Sequence, residues 1–183
     1  MRVITGKYKG RILKGPKHEG LRPTADRIKE ALFNIISDKI EGADFLDLFA
    51  GSGAIGIEAL SRNANSVVFA DANPVSIKLV RENMRFLDPD DKFRIVQLPA
   101  ERTLEIIAKE GLSFDLIFLD PPFQAGLLPK TVELIMAFRL LKENGILIVE
   151  HPRQLTLNVP AMTVILARNY GDISLTLLQT ADT

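Results

Sequence analysis

Asp120 is followed directly by Pro121, Pro122 and Phe123, and this run concentrates the chemistry of a chain of 183 residues. Proline carries no N–H and holds φ near one value. The Asp120 carboxylate and the Pro121 carbonyl are therefore presented as acceptors, with no backbone donor from either proline beside them. The flat ring of Phe123 adds a stacking face, so the tip can hold a planar group that bears an amine. An amine conjugated to a heterocycle is a poor nucleophile. Turning its lone pair out of conjugation and in line with an electrophile is a proximity effect of up to ~7 to 11 kcal/mol. Asp120 can also remove the proton as the nitrogen becomes cationic, or deprotonation can follow transfer and go to water. The tetrapeptide alone also reads as a plain turn after a strand, and what favours chemistry lies upstream.

The run Phe49-Ala50-Gly51-Ser52-Gly53-Ala54-Ile55-Gly56 follows a short apolar strand and opens a helix, as at the start of a nucleotide-type βαβ unit. Gly51 and Gly53 let the backbone pass close to a ligand, and Gly56 lets helix and strand approach. A second strand ends at Asp71, where an acid can accept both hydroxyls of a ribose. A dinucleotide would set its pyrophosphate on the helix N-terminus, where Asp47, four residues before Gly51, would repel it. S-adenosylmethionine has no phosphate and carries an ammonium and a sulfonium, both favoured by an acid. Asp47 thus argues for the sulfonium cofactor over the nicotinamide one.

The elements that must position these groups alternate regularly. Strands are predicted at Ala43 to Leu48, Ser66 to Ala70, Phe93 to Leu98, Asp115 to Leu119 and Ile146 to Val149, the last ending at Glu150-His151-Pro152. Thr24 is placed to cap a helix with Ile28, Ala31, Leu32, Ile35 and Ile36 on one face, leaving Arg27 and Lys29 available. Asn73 caps and Pro74 opens another, with Val75, Leu79, Val80 and Phe86 on its core side. Pro99-Ala100-Glu101 leads into a helix ending near Gly111, and a further helix from Leu127 to Leu141 is closed by Asn144-Gly145 as a left-handed cap. Thr163 to Arg168 and Ile173 to Leu178, joined by a Tyr170-Gly171-Asp172 turn, pair antiparallel at a sheet edge. Ligands of such sheets sit beyond the C-terminal strand ends, so Asp47, Asp71, Glu101 and Asp120 are expected to face one crevice.

Net charge is zero, yet residues 1–30 hold nine Lys or Arg against three acids, a local charge of +6 that the remainder cancels. Residues Met1 to Lys14 read as a hairpin whose basic tip, Lys7-Tyr8-Lys9, stands in water. With Arg11, these residues form an arm suited to phosphates, or simply a solvated hairpin. Arg22, Thr24, Asp26 and Arg27 crowd a helix N-terminus that can hold a carboxylate or phosphate, or else cap a surface helix. The division expected is a basic appendage at 1–23 and a catalytic domain at 24–183. The chain has no cysteine, no long apolar run and no secretory signal, and a cytoplasmic location is the default. Neither His18 nor His151 has metal-ligand spacing, and no metal is expected.

On these residues the chain closely resembles the RsmD-type family of bacterial ribosomal RNA guanine-N2 methyltransferases. The likeness rests on Met1-Arg2-Val3-Ile4-Thr5-Gly6-Lys7-Tyr8-Lys9-Gly10, on Arg22-Pro23-Thr24 with Asp26-Arg27 and Glu30 to Asn34, on Asp47 to Gly53 continuing through Gly56 to Arg62, on Asp120 to Phe123, and on Tyr170-Gly171-Asp172. The proline tip is shared by many amino-group methyltransferases; the N-terminal combination is more particular. The resemblance implies an α/β fold, a Rossmann-like seven-stranded methyltransferase sheet with helices on both faces. It implies methyl transfer from S-adenosylmethionine to N2 of one guanine in 16S rRNA, on an assembled or assembling small ribosomal subunit, by a monomer. Carried over residue by residue, Asp47, Phe49, Gly51 and Gly53 line the methionine side and Asp71 takes the ribose. Ala100 and Glu101 lie near the adenine, and Asp120, Pro121, Pro122 and Phe123 hold the base. Thr24 and Arg22 serve the cofactor carboxylate or the RNA, and Arg27, Lys7, Lys9 and Arg11 serve the RNA. Asp71 stands where relatives often have glutamate, and Pro99 stands where a polar residue is usual. An adenine-N6 methyltransferase and a non-catalytic RNA-binding factor are the competing readings.

Overall fold

The computed structural model describes residues 1–15, 23–122, 126–157, 159 and 162–181. Among these, one sheet is built from β1 (Asp44–Leu48), β2 (Ser66–Ala70), β3 (Phe93–Val96), β4 (Phe114–Leu119), β5 (Leu141–Pro152), β6 (Met162–Tyr170) and β7 (Ile173–Thr180). The order is β3-β2-β1-β4-β5-β7-β6. The first five strands run parallel, and β7 lies antiparallel between β5 and β6. The chain leaves β1 towards β2 on one side and later returns to lay β4 on the other. A switch point therefore opens between β1 and β4, where ligands of such sheets bind.

Strand alternation divides the core into two layers. Phe45, Val67, Phe69, Leu116 and Phe118 pack with Leu32 and Phe33 of α1 (Pro23–Ile35), Ile57 and Leu60 of α2 (Ala54–Ser61) and Val80 of α3 (Pro74–Asn83). Leu46, Leu48, Ile117 and Leu119 face the other way, onto Leu104 and Ile107 of α4 (Ala100–Lys109) and Val132 and Ile135 of α5 (Leu127–Ala137). Each such side chain, buried on folding, contributes roughly 1.5–3 kcal/mol. Gly56 is what lets α2 lie against β2, because a Cβ there would stand 2.2 Å from a Phe69 ring carbon.

Several expectations need correction. The helix expected to run to Leu141 stops at Ala137. Arg139 takes the left-handed conformation (φ 52°), its N–H donates to the Met136 carbonyl, and the Leu140 N–H donates to the Ile135 carbonyl. This is a Schellman closure made with arginine, in which buried Leu140 supplies the apolar contact. Asn144 and Gly145 instead form an irregularity within β5, where pairing with β4 skips from Phe114↔Leu141 to Leu116↔Ile146. The first helix starts at Pro23, which places the Thr24 backbone in its first turn. In α3, Asn73 does cap, accepting from the Val75 N–H at 2.8 Å, but Val75 is exposed and Ile77, Val80 and Asn83 are the buried positions.

Residues 1–14 fold back on themselves with a single antiparallel bridge, Arg2↔Ile12. Their turn docks on the body through its backbone and Tyr8, while Lys7 and Lys9 are exposed as expected. The Lys7 N–H donates to the Ser61 carbonyl at 2.8 Å and the Tyr8 N–H to the Ser61 hydroxyl at 3.0 Å. Glu58, fully buried on α2, accepts the amides of Ile4 and Thr5 at 2.7 and 3.0 Å. Val3, Tyr8 and Leu13 are buried in the first core layer. Glu58 also faces Lys29, expected to be available on α1 but buried, with its ammonium 2.6 Å from the Arg2 carbonyl. Among the described residues, no helix is long and apolar enough to cross a membrane.

Candidate active site

The acids at the C-terminal strand ends meet over a cavity of about 820 Å³. Asp47 comes from β1, Asp71 follows β2, Asp120 follows β4, and Glu101 stands in the first turn of α4; all four line it, as expected. Phe49, Gly51, Ala100, Pro121 and Pro122 line it too. Gly53 does not. Its φ of +77° starts α2, and a Cβ there would lie 3.3 Å from Val80.

The glycine turn is shaped by positive φ at Phe49 (73°) and Gly51 (54°). The amides of Phe49 and Ala50 both donate to the Ala70 carbonyl at 2.9 Å, which pins the turn to the end of β2. Asp71 strengthens the joint, with one carboxylate oxygen accepting from the Gly51 N–H at 2.9 Å and the other from the Asn73 N–H at 2.7 Å. Asp47 accepts from the Gly56 N–H at 2.9 Å. Burial, with Asp120 and Asp71 close by, pushes the Asp47 carboxyl up to about 7 even though that amide favours its ionised form.

A fifth acid was not assigned a role from sequence. Glu150 of β5 lines the cavity, and burial, reinforced by the charge of Asp120, pushes its carboxyl up to about 8. Leu119 and Val149 are paired across β4 and β5, so Asp120 and Glu150 follow side by side on adjoining strands. The signal was present: an acid closing an apolar strand, as at Asp120. Lys29 and Met1 also line the cavity, the latter bringing the N-terminal arm to its rim. Glu101 is held by Lys130 at 2.7 Å.

Other expected residues lie elsewhere. Arg27, Lys9 and Arg11 are exposed, and the Arg11 guanidinium sits 5.4 Å from the Phe86 ring centre. The Lys7 ammonium pairs with Asp91, which also accepts from the Tyr8 hydroxyl. Arg22 and Phe123 fall outside the described residues.

Such an acidic crevice suits a cationic ligand with a ribose, and its tip suits an amine. Residues 1–179 match the family model described as Conserved hypothetical protein 95. Ribosomal RNA small subunit methyltransferase D of Haemophilus influenzae is 33% identical over 183 residues, spanning 98% of this chain and 93% of that one. The chain belongs to the RsmD-type methyltransferase family. The protein of the same name from Escherichia coli K12 is 37% identical over 150 residues, 82% of this chain and 74% of that one. The Escherichia coli yhhF structure superposes with a TM-score of 0.85 at 29% identity, covering 100% of this chain and 99% of that one. Within this RsmD-type chain, the seven-stranded sheet and its antiparallel edge are the family's methyltransferase fold.

Proposed function

We propose that this RsmD-type protein transfers a methyl group from S-adenosylmethionine to the exocyclic N2 of one guanine in 16S rRNA. The observation that carries the reading is that Asp120 and Pro121, at the end of β4, open onto the same cavity as Asp47 and Asp71. The relatives that share the family name are ribosomal RNA small subunit methyltransferases, which supports RNA as the methyl acceptor.

In this proposal Asp71 takes the ribose hydroxyls and Asp47, with Phe49 and Gly51, holds the cationic methionine end. Ala100 and Glu101 bound the adenine, Thr24 serves the carboxylate, and Arg22 serves the carboxylate or the RNA. Gly53 acts at one remove, by shaping the turn. Bound there, S-adenosylmethionine supplies an electrophilic methyl on a positive sulfur. Asp120 and the Pro121 carbonyl accept from the N2 hydrogens and aim the lone pair. Pro122 stiffens the tip, Phe123 stacks on the base, and the nitrogen's proton leaves to Asp120 or to water. Lys9, Arg11 and Arg27 meet RNA phosphates, and Lys7, paired with Asp91, serves the RNA by holding the turn that carries Lys9 and Arg11. The protein acts as a cytoplasmic monomer on an assembled or assembling small subunit.

The test uses small-subunit particles from cells that lack the protein, incubated with it and labelled S-adenosylmethionine, followed by mass spectrometry of the nucleosides. N2-methylguanosine is the expected product. N6-methyladenosine would favour the adenine enzyme, and RNA binding without label or cofactor affinity would favour a non-catalytic factor.

A further inference from the structure

Resting on the proposed guanine chemistry, a second residue of the cavity bears on which base is accepted. The amine grip at Asp120 does not distinguish bases by itself, since guanine and adenine both offer an exocyclic amine with two hydrogens. What differs is the neighbouring edge. Beside its amine guanine carries a ring N1–H donor and then the O6 acceptor; adenine, with its N6 amine in the same grip, offers a bare N1 and then a C–H. A site that reads guanine therefore needs, next to the amine grip, an acceptor and a donor in sequence.

Glu150 occupies that place. It follows Val149, whose Cα partner on β4 is Leu119, so it stands one strand over from Asp120 and lines the same cavity. Neighbouring strands lie about 4.8 Å apart, comparable to the breadth of a purine's hydrogen-bonding edge. The residue sits within β5 rather than on a loop, and β5 is flanked by β4 and β7, which fixes the direction of approach.

We propose that Glu150, as a carboxylic acid, selects guanine by accepting from N1–H and donating to O6 while Asp120 and the Pro121 carbonyl hold the N2 amine. Two carboxyls on adjoining strands resist ionising together. Among the described residues, the charged side chains that line the cavity with Glu150 are Asp120 after β4, Asp47 of β1, Asp71 after β2, Glu101 of α4 and Lys29 of α1. Burial and the Asp120 charge keep the Glu150 proton on up to a pH of about 8. Adenine would make only one of the two bonds and leave the carboxyl oxygen facing a C–H, which is how a polar site rejects an analogue.

Glu150→Gln keeps an acceptor and a donor in the same order, and Glu150→Leu removes both. Both variants and the wild type are assayed on small-subunit particles from cells lacking the protein, with N2-methylguanosine counted by mass spectrometry across pH 6.5 to 9.5. Calorimetry with S-adenosylhomocysteine confirms that each variant is folded and binds it. Glu150→Leu is expected to lower kcat/KM by roughly 10- to 100-fold, the value of one bidentate base contact. Glu150→Gln is expected to stay within a few-fold of wild type and to lack the fall in rate expected of wild type above about pH 8. Glu150→Leu as active as wild type, or Glu150→Gln as impaired as Glu150→Leu, overturns the assignment. A wild type that methylates RNA at another atom removes the guanine reading and this inference with it. Failure of the variants alone, with N2-methylguanosine still formed by wild type, leaves the guanine reading standing.

Discussion

Glu58 of α2 and Lys29 of α1 stand 3.5 Å apart with almost no solvent on either side chain. Glu58 also takes the Arg62 Nε–H at 3.0 Å and the two amides of Ile4 and Thr5, so one carboxylate joins α1, α2 and the N-terminal arm. Burial lowers the tendency of Lys29 to hold its proton, and the Glu58 charge acts against that. Removing the acid leaves the buried ammonium with only the weaker charge of Asp26 to balance it. We expect Glu58→Ala to cost about 3–5 kcal/mol in urea unfolding, and Glu58→Leu combined with Lys29→Met to recover part of that loss. Equal stability of wild type and Glu58→Ala would show that the arm is not tied down through this pair.

Asp47 makes stability depend on pH in an identifiable direction. Its folded-state pKa, about 7, lies above the ordinary aspartate value of about 4, so between these limits the native state binds more protons than the unfolded chain. Unfolding free energy from this group is therefore largest in acid and declines as pH rises through the window. His151 works oppositely, because burial depresses its pKa, and a comparison of wild type with Asp47→Asn cancels it. The melting temperature of wild type should fall relative to Asp47→Asn from about pH 4 to about pH 7, then run parallel. Differential scanning calorimetry at fixed ionic strength would measure it.

Asp120→Ala should lower methyl transfer by at least ~100-fold, the lower end of what a positioned acid–base group supplies, while S-adenosylhomocysteine affinity changes little. Single-turnover assays on small-subunit particles, paired with calorimetry, separate the two effects. Activity within a few-fold of wild type would remove Asp120 from the chemistry.

Lys9 and Arg11 are exposed on the arm, whose first residue, Met1, lines the cavity. If they meet phosphates, replacing each with alanine should weaken RNA binding and reduce the slope of log affinity against log salt by about 1 per residue. Filter binding between 50 and 200 mM salt would show it. Lys7→Ala should act more through the arm, since its ammonium is occupied by Asp91.

The sheet was legible because β1, β2, β4 and the 146–149 part of β5 are short, largely apolar runs buried along most of their length, which leaves such runs little choice, whereas β3 at the sheet edge leaves Phe93 and Arg94 exposed. Asp47, Asp71 and Asp120 share a crevice because they stand at the C-terminal ends of parallel strands, and Glu101 joins them because α4 begins just beyond the end of β3. Legibility failed where local signals compete. Asn144-Gly145 carries the composition of a helix cap, but Arg139 accepted the left-handed conformation earlier because buried Leu140 could close the motif. Lys7, Tyr8 and Lys29 read as solvated, yet each meets a partner distant in sequence, Asp91 for the first two and Glu58 for the third. Gly53 was grouped with Gly51 by its motif, and only its packing against Val80 separates them.

The central claim is that a cationic methyl donor and an amine meet at the end of β4, and a crystal structure of the protein with S-adenosylhomocysteine tests it most directly. The account predicts ribose hydroxyls on Asp71 and the sulfur turned towards Asp120 and the Pro121 carbonyl. A ligand whose ribose lies away from Asp71, or whose sulfur points away from Asp120, would contradict it.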